Sequence, residues 1–482
     1  MSSWSSRISI LLIVAVLGIC CWRARTQSFT IDEAFVYNRF VSKDLAEMAK
    51  SFDACNHVLH TLLMKVSRYA LGGGEMAARV PSLAGALLYC IVAFQITRLL
   101  FAGWSQVLCL ALLTLNPLLL DFLIAARGYG LALGLFLWAL LCAIHYATRG
   151  FESKWLFRAG VLAGLSIAAN LTLLIPVAGL GLALLLLASR DGVRAGWHVF
   201  DAYGGPAIVI AFLFLVLPLL NASREDFYFG ANSLTSSVDG LTASFLKVQE
   251  RWPARHPEVF LAVGRFLVVP GIVLALLAGV GAHLRRYLKS VQPEWRSAPF
   301  LLFGIPVIAS IVAIFVSHFL AGVRYPEGRT ALYLLPLTFL ACFAGVRLAE
   351  SRRAALALNL AAAALVLVSI RQTDNRFFSD WRFDAGTGRL IRALESDFAT
   401  RARPDQKPPT LYTQTFLRQT ALWYRDRRGM TWLTIPDLNE NRKESADYYL
   451  LNFEDKQLVS QLGLQVVAED KISGELLARR SQ

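Results

Sequence analysis

Apolar runs of roughly 15–22 residues, separated by short polar clusters, recur along the first 370 positions of the chain. A helix of about 20 residues spans the roughly 30 Å hydrocarbon core of a bilayer. The first run is Ile8 to Trp22; others follow at 81–101, 105–125, 129–147, 157–170, 171–188, 205–220, 260–282, 298–319, 329–348 and 354–370. They predict a polytopic α-helical membrane protein with about eleven transmembrane helices. The first run has the length of a signal-peptide core, but Cys20-Cys21-Trp22-Arg23 follows it where a small-residue cleavage site would stand. It reads as a retained helix. Between 157 and 188, Asn170 and Pro176 predict two short spans in a re-entrant hairpin rather than one long tilted helix.

After residue 370 the pattern changes. Thr410–Gln414, Tyr448–Asn452, Leu464–Ala468 and Leu476–Arg479 are short β-rich runs, while Thr415–Arg425 and Glu454–Leu462 have helical apolar spacing. Gly474 marks a turn between the last two strands. The chain therefore divides into a transmembrane part, 1–370, whose first exterior loop is 23–80, and a small C-terminal exterior α/β domain, 371–482. No internal repeat is visible, which weakens an inverted-repeat transporter reading.

Composition agrees with the pattern: of 482 residues, 56% are hydrophobic and only 17% charged. A soluble chain of this length needs far more polar surface. The net charge of +14 raises a nucleic-acid reading. The basic residues, however, form no stripe and recur loop by loop: Arg149, Lys154 and Arg158; Arg190 and Arg194; Arg285, Arg286, Lys289 and Arg296; Arg347, Arg352 and Arg353. That is the positive-inside distribution for a cytoplasmic N-terminus, and no nucleic-acid partner is expected. With eleven spans the segments 23–80, 125–128, 221–259, 320–328 and the tail lie outside. Cys55 alone lies in an exterior loop, so no disulfide framework is expected. There is no P-loop or dinucleotide-binding fingerprint.

Three polar clusters fall on that exterior face. In the first, Asp32 and Glu33 stand just beyond the first span, where a carboxylate can be desolvated on one side and reach a polar substrate on the other. Thr30-Ile31-Asp32-Glu33 is also a capping box, a purely structural use of Glu33. His57 and His60 share one face of a helix running to about Leu71 and suit a metal, a phosphate or simple hydrogen bonding. Gly72–Gly74 and Arg79-Val80-Pro81 read as a turn into the second span. The second cluster is Asp121, Arg127 and Tyr129. Asp121 lies in an apolar helix, where it needs a partner such as Arg127 or a route to water. The third is Arg324, Tyr325 and Arg329, two arginines on the face that positive-inside logic disfavours; their partner is either Glu327 or an external anion. Acids, histidines and arginines gathered at one face suit a reaction on a lipid-borne anionic substrate.

At these residues the chain resembles the glycosyltransferase C superfamily, in its bacterial protein O-mannosyltransferase and aminoarabinose-transferase-like branch. The matching features are Asp32-Glu33, the helix beginning at His57, R-V-P-S at Arg79 to Ser82, AARGYG at 125–130 and RYPEGRTALYLLP at 324–336. The resemblance spans roughly residues 8–370. It implies a bacterial inner-membrane enzyme that moves a sugar from a polyprenyl-phosphate donor to an acceptor at the outer face, with inversion. Asp32 would then be the general base and Glu33 would assist it or bind an ion. Arg127, Arg324 and Arg329 would hold the leaving phosphate, supported by Tyr129 and Tyr325, with Asp121 and His57 also at the substrate. The family often has His-Pro where this chain has His57-Val58. No cofactor is required by this reading, and a divalent metal is left open. The rivals are a transporter or flippase of lipid-linked saccharide and a non-catalytic envelope scaffold. All three clusters are expected to share one cavity.

Overall fold

The structure, a computed structural model, describes residues 4–227, 229–246, 257–289, 296–401, 407–437 and 445–480. Parts of the expected exterior loop 221–259 lie outside the described residues. Among the described residues, nine helices are long and apolar enough to cross a membrane. A bent pair, Gly103–Leu115 and Pro117–Ile124, meets at 58° and makes up to ten. The bend follows from Pro117, which has no N–H to continue the first helix, and Asn116 restarts the second by capping Leu119 N–H. The expected span at 157–170 is the helix Ser153–Ala169, 17 residues long. At 1.5 Å per residue it reaches about 26 Å, short of a full hydrocarbon core. The expected span at 171–188 is Leu171–Asp191, set off from the first by the break at Asn170. The chain is a polytopic helical membrane protein with a C-terminal α/β region.

By compactness the chain divides into two units, and neither follows the chain simply. One comprises Met1–Cys21, Ala49–His60 and Pro81–Thr373, and holds most of the apolar helices. Without a hydrophobic driving force between helices in lipid, close backbone approach is what packs them. Gly85 permits such an approach: a Cβ there would lie 2.5 Å from Leu131 N, on the helix Tyr129–Thr148.

The second unit comprises Trp22–Met48, Thr61–Val80 and Asp374–Gln482. The tail thus folds with much of the segment 23–80, the expected first exterior loop. Its sheet has the order β1-β2-β4-β3, with β1 Leu411–Thr413, β2 Tyr448–Leu451, β3 Leu464–Glu469 and β4 Leu476–Arg480. β1 runs parallel to β2, and β4 is antiparallel to both β2 and β3. All four strands coincide with the expected β-rich runs. Tyr412, Tyr449, Leu451, Leu464 and Leu476 build the core on one face. The helix Thr387–Arg401 was not expected from the sequence, since its charged residues obscure the apolar stripe of Leu390, Ile391 and Leu394.

Candidate functional site

In the tail-containing unit, the acid pair stands at the start of the helix Ile31–Val36. The capping box is present. Thr30 Oγ1 accepts Glu33 N–H at 3.4 Å, and Glu33 Oε2 accepts Thr30 N–H at 2.8 Å. Glu33 is fully buried and also takes two charge-assisted bonds from Arg79, Nε to Oε1 at 2.8 Å and Nη2 to Oε2 at 2.7 Å. Both Glu33 oxygens are therefore engaged, whereas its neighbour Asp32 is half-buried. Phe29 stacks on Trp423 at 4.2 Å and donates its N–H to Tyr424 Oη at 2.9 Å. Tyr424 in turn donates to Glu75 Oε1 at 2.5 Å. The segment carrying the acids is thereby fastened at its N-terminal flank.

Pro81 lies inside the helix Glu75–Leu100 and cannot bond the carbonyl of Ala77. Ser67 Oγ donates to that carbonyl at 2.5 Å, so the helix continues without an unsatisfied acceptor.

In the helix-rich unit a second constellation forms around the two histidines. His57 and His60 are both buried, as is Arg127. Ser82 Oγ lies 2.9 Å from His60 Nε2 and donates its single proton to the carbonyl of Ala125 at 2.7 Å. His60 must then be the donor to Ser82, which assigns its proton to Nε2. Ser82 also lies 3.3 Å from the carbonyl of Arg127, so the turn 125–128 is pinned to the helix carrying Ser82. Gly128 closes the fit: a Cβ there would lie 2.1 Å from the carbonyl of Ala169 and 2.6 Å from His57 Cβ. The His57 ring meets Tyr129 edge-on at 4.9 Å, and Tyr129 meets Phe122 at 4.7 Å.

Electrostatically this constellation favours an anion. Burial comes first, then the charges of Arg127, His60 and Arg329; together they hold His57 well below the ordinary histidine range. Burial, aided by Arg127, takes His60 down to about 3. Both rings are neutral at physiological pH, and the arginine charges acting on His57 are those of Arg127 and Arg329. His57 Nε2 is buried and makes no hydrogen bond among the described residues. Arg329 also lies over the Phe229 ring at 4.6 Å.

The structure thus brings together His57, His60, Arg127, Tyr129 and Arg329, drawn from three distant stretches of chain. Asp121 is buried one helical segment upstream of Arg127. Tyr325 is buried, paired through its backbone with Ala231 and stacked on His318 at 4.0 Å, while Arg324 is exposed. Two participants escaped sequence reasoning. Ser82 reads as an ordinary helix residue until its partners are known. Asn170 was legible only as a break; its buried side chain accepts from Thr172 N–H at 3.0 Å, next to the Ala169 carbonyl that Gly128 approaches. Among the described residues, no three His, Cys, Asp or Glu side chains are grouped to hold a metal ion.

No protein-family profile matches the chain, and no curated protein matches it. Among solved structures it is similar to ArnT from Cupriavidus metallidurans bound to undecaprenyl phosphate, over 97% of each chain, at 14% identity and a TM-score of 0.45. It is similar also to the Archaeoglobus fulgidus oligosaccharyltransferase in the apo form, over 92% of this chain and 70% of that one, at 12% identity and a TM-score of 0.48. The archaeal oligosaccharyltransferase AglB from Archaeoglobus fulgidus, in complex with an inhibitory peptide and a dolichol-phosphate, is similar over 94% of this chain and 70% of that one, at 11% identity and a TM-score of 0.45. At these identities and TM-scores the likenesses assign no chemistry to this chain.

Proposed function

We propose that the protein is an integral membrane glycosyltransferase that moves a sugar from a polyprenyl-phosphate donor to an acceptor hydroxyl at the exterior face, inverting the anomeric centre. The observation that carries this reading is that the charges of Arg127 and Arg329 both bear on buried His57, and that of Arg127 on buried His60 as well. Fixed guanidinium groups in a partly dry site are suited to a phosphate oxygen, and a neutral His57 adds a dipole without adding a charge.

The chemistry asks for such a site. A polyprenyl-phosphate sugar is a phosphodiester with one negative charge. When the acceptor oxygen bonds to the anomeric carbon, the bond from that carbon to the phosphate oxygen breaks. The electron pair stays with the phosphate, which leaves as a monoester dianion. Cations placed where that second charge appears stabilise the transition state more than the bound donor. In this reading Arg127 and Arg329 carry the largest share, Arg324 adds long-range attraction, and Tyr129, Tyr325 and Asp121 shape the surroundings. The proton lost by the acceptor goes to Asp32, the half-buried member of the acid pair, while Glu33 assists by holding the turn in place. No step is routed through a metal. The N-terminus is proposed to be cytoplasmic and the tail exterior, in a bacterial inner membrane.

The test is transfer of label from a radiolabelled polyprenyl-phosphate sugar by the full chain in detergent. Transfer by the wild type and its loss in Asp32→Asn support the reading. Label that crosses the bilayer of proteoliposomes without being transferred to any acceptor would replace it with the flippase reading. Failure to bind or process any lipid-linked donor would leave a scaffold.

A further inference from the structure

A second acid pair lies inside the tail-containing unit. Asp384 ends the stretch Ser379–Asp384 and Glu475 immediately precedes β4; they are 1% and 0% exposed. Thr387 Oγ1 lies 2.5 Å from Asp384 Oδ1 and 2.5 Å from Glu475 Oε1. A hydroxyl has one proton and can donate to only one of these oxygens. The other contact needs a proton on a carboxyl group, donated to Thr387. The geometry therefore holds one proton more than two carboxylates would carry.

The remaining oxygens are also occupied. Glu475 Oε2 accepts Gly386 N–H at 2.7 Å, and Asp384 Oδ2 accepts Thr420 Oγ1–H at 2.8 Å. Asp384 further accepts the backbone N–H of Ile31, the first residue of the helix that carries Asp32 and Glu33. The charged groups around the pair are Asp470, which packs against Gly386 and is ion-paired with Arg389, and, on the acid helix itself, Glu33 with Arg79.

We infer that Asp384 is a positioning residue for Asp32, and that its hold on the acid helix depends on the proton it shares with Glu475 through Thr387. The inference rests on the reading of Asp32 as the base. With the proton present, the chain Glu475–Thr387–Asp384–Ile31 is closed by hydrogen bonds at every link. With it lost, Thr387 can donate to one carboxylate only, and two buried negative charges face each other across a single hydroxyl. Burial first, then the charge of Asp470, raises Glu475 to about 7, and burial together with Glu475 raises Asp384 well above the usual carboxylate range. Both members are thus pushed toward keeping a proton at neutrality, and the shared one is lost as pH rises above it.

Hydrogen exchange of the full chain in detergent tests this, read on peptides covering residues 29–36 and corrected for intrinsic rates. In the wild type, exchange should be roughly tenfold faster at pH about 8.5 than at about 6, the effect of about one pK unit of coupling. Glu475→Gln donates an amide N–H to Thr387 and mimics the protonated acid, so its exchange should not change with pH. Asp384→Ala should exchange fast at both. In parallel, the wild-type kcat for transfer should fall over the same pH range with donor KM constant, and Glu475→Gln should flatten that fall. An Asp384→Ala chain as protected as the wild type, or a Glu475→Gln chain that keeps the wild-type pH response, overturns the inference. If Asp384→Ala does not fold, the Glu475→Gln comparison decides alone. If exchange behaves as expected while Asp32→Asn transfers normally, the coupling stands and the reading of Asp32 as base falls.

Discussion

Arg79 places all five of its N–H donors around one short segment, and two of the five go to Glu33. Besides the Glu33 pair, Nη1 donates to the carbonyls of Ala24 and Gln27 at 2.9 and 2.8 Å, and Nη2 donates to that of Ser28 at 2.8 Å. The guanidinium also lies 5.6 and 5.1 Å from the rings of Phe29 and Phe378. A fully buried ion pair of this kind contributes order more than net energy, but removing one partner strands the other. It separates the two adjacent acids into different tasks.

Glu33→Gln and Arg79→Met should each destabilise the protein by about 3–5 kcal/mol, since each leaves a buried charge without its counterpart. Asp32→Asn should leave stability near that of the wild type and reduce transfer by roughly 10²–10⁴-fold. Thermal unfolding in detergent and label transfer, measured on the same preparations, separate the two effects. Equal losses of stability in all three would show that Asp32 is structural.

The arginines should not be equivalent. Arg329 acts on His57 electrostatically, whereas Arg324 is exposed. Arg127→Ala and Arg329→Ala should lower kcat by roughly 10²–10³-fold, the scale for losing one charge-stabilising donor in a preorganised site. Arg324→Ala should have a smaller effect that fades as salt is added, because exposed charges are screened. Steady-state kinetics at two ionic strengths would reveal the difference.

Gly128 is a packing prediction. Its Cβ position is occupied by the Ala169 carbonyl and by His57 Cβ. Gly128→Ala must therefore push His57 or the Asn170 break aside, at about 1–3 kcal/mol. A lowered unfolding midpoint together with weakened binding of polyprenyl phosphate, measured by calorimetry, is the expected outcome. An unchanged protein would mean that this junction is looser than its geometry.

Stability should decline at both ends of the pH scale for opposite reasons. His60 falls from 6.5 to about 3 on folding, so its neutral form contributes stability that is full above pH 6.5 and lost as pH falls toward 3. Glu475 rises from 4.5 to about 7, so its contribution is full below pH 4.5 and lost as pH rises through 7. Unfolding midpoints against pH should show His60→Gln flattening the acid limb and Glu475→Gln flattening the alkaline limb. Exchanged effects would contradict the assignment.

What the sequence by itself determined follows from short-range physics. Apolar runs of span length have one solution in lipid, a helix that satisfies its own backbone, so the spans were legible one by one. The capping box at Thr30–Glu33 and the four short strands of the tail were legible for the same reason, because neighbours within a few residues decide them. The tertiary structure decided which distant groups meet. Glu33 finds Arg79 46 residues away, Ser28 receives the N–H of Gly388 from 360 residues away, and Arg329 comes to bear on His57. No local pattern encodes such pairings. They follow from shape and from the need of every buried charge and polar group for a partner, which only the packed chain satisfies.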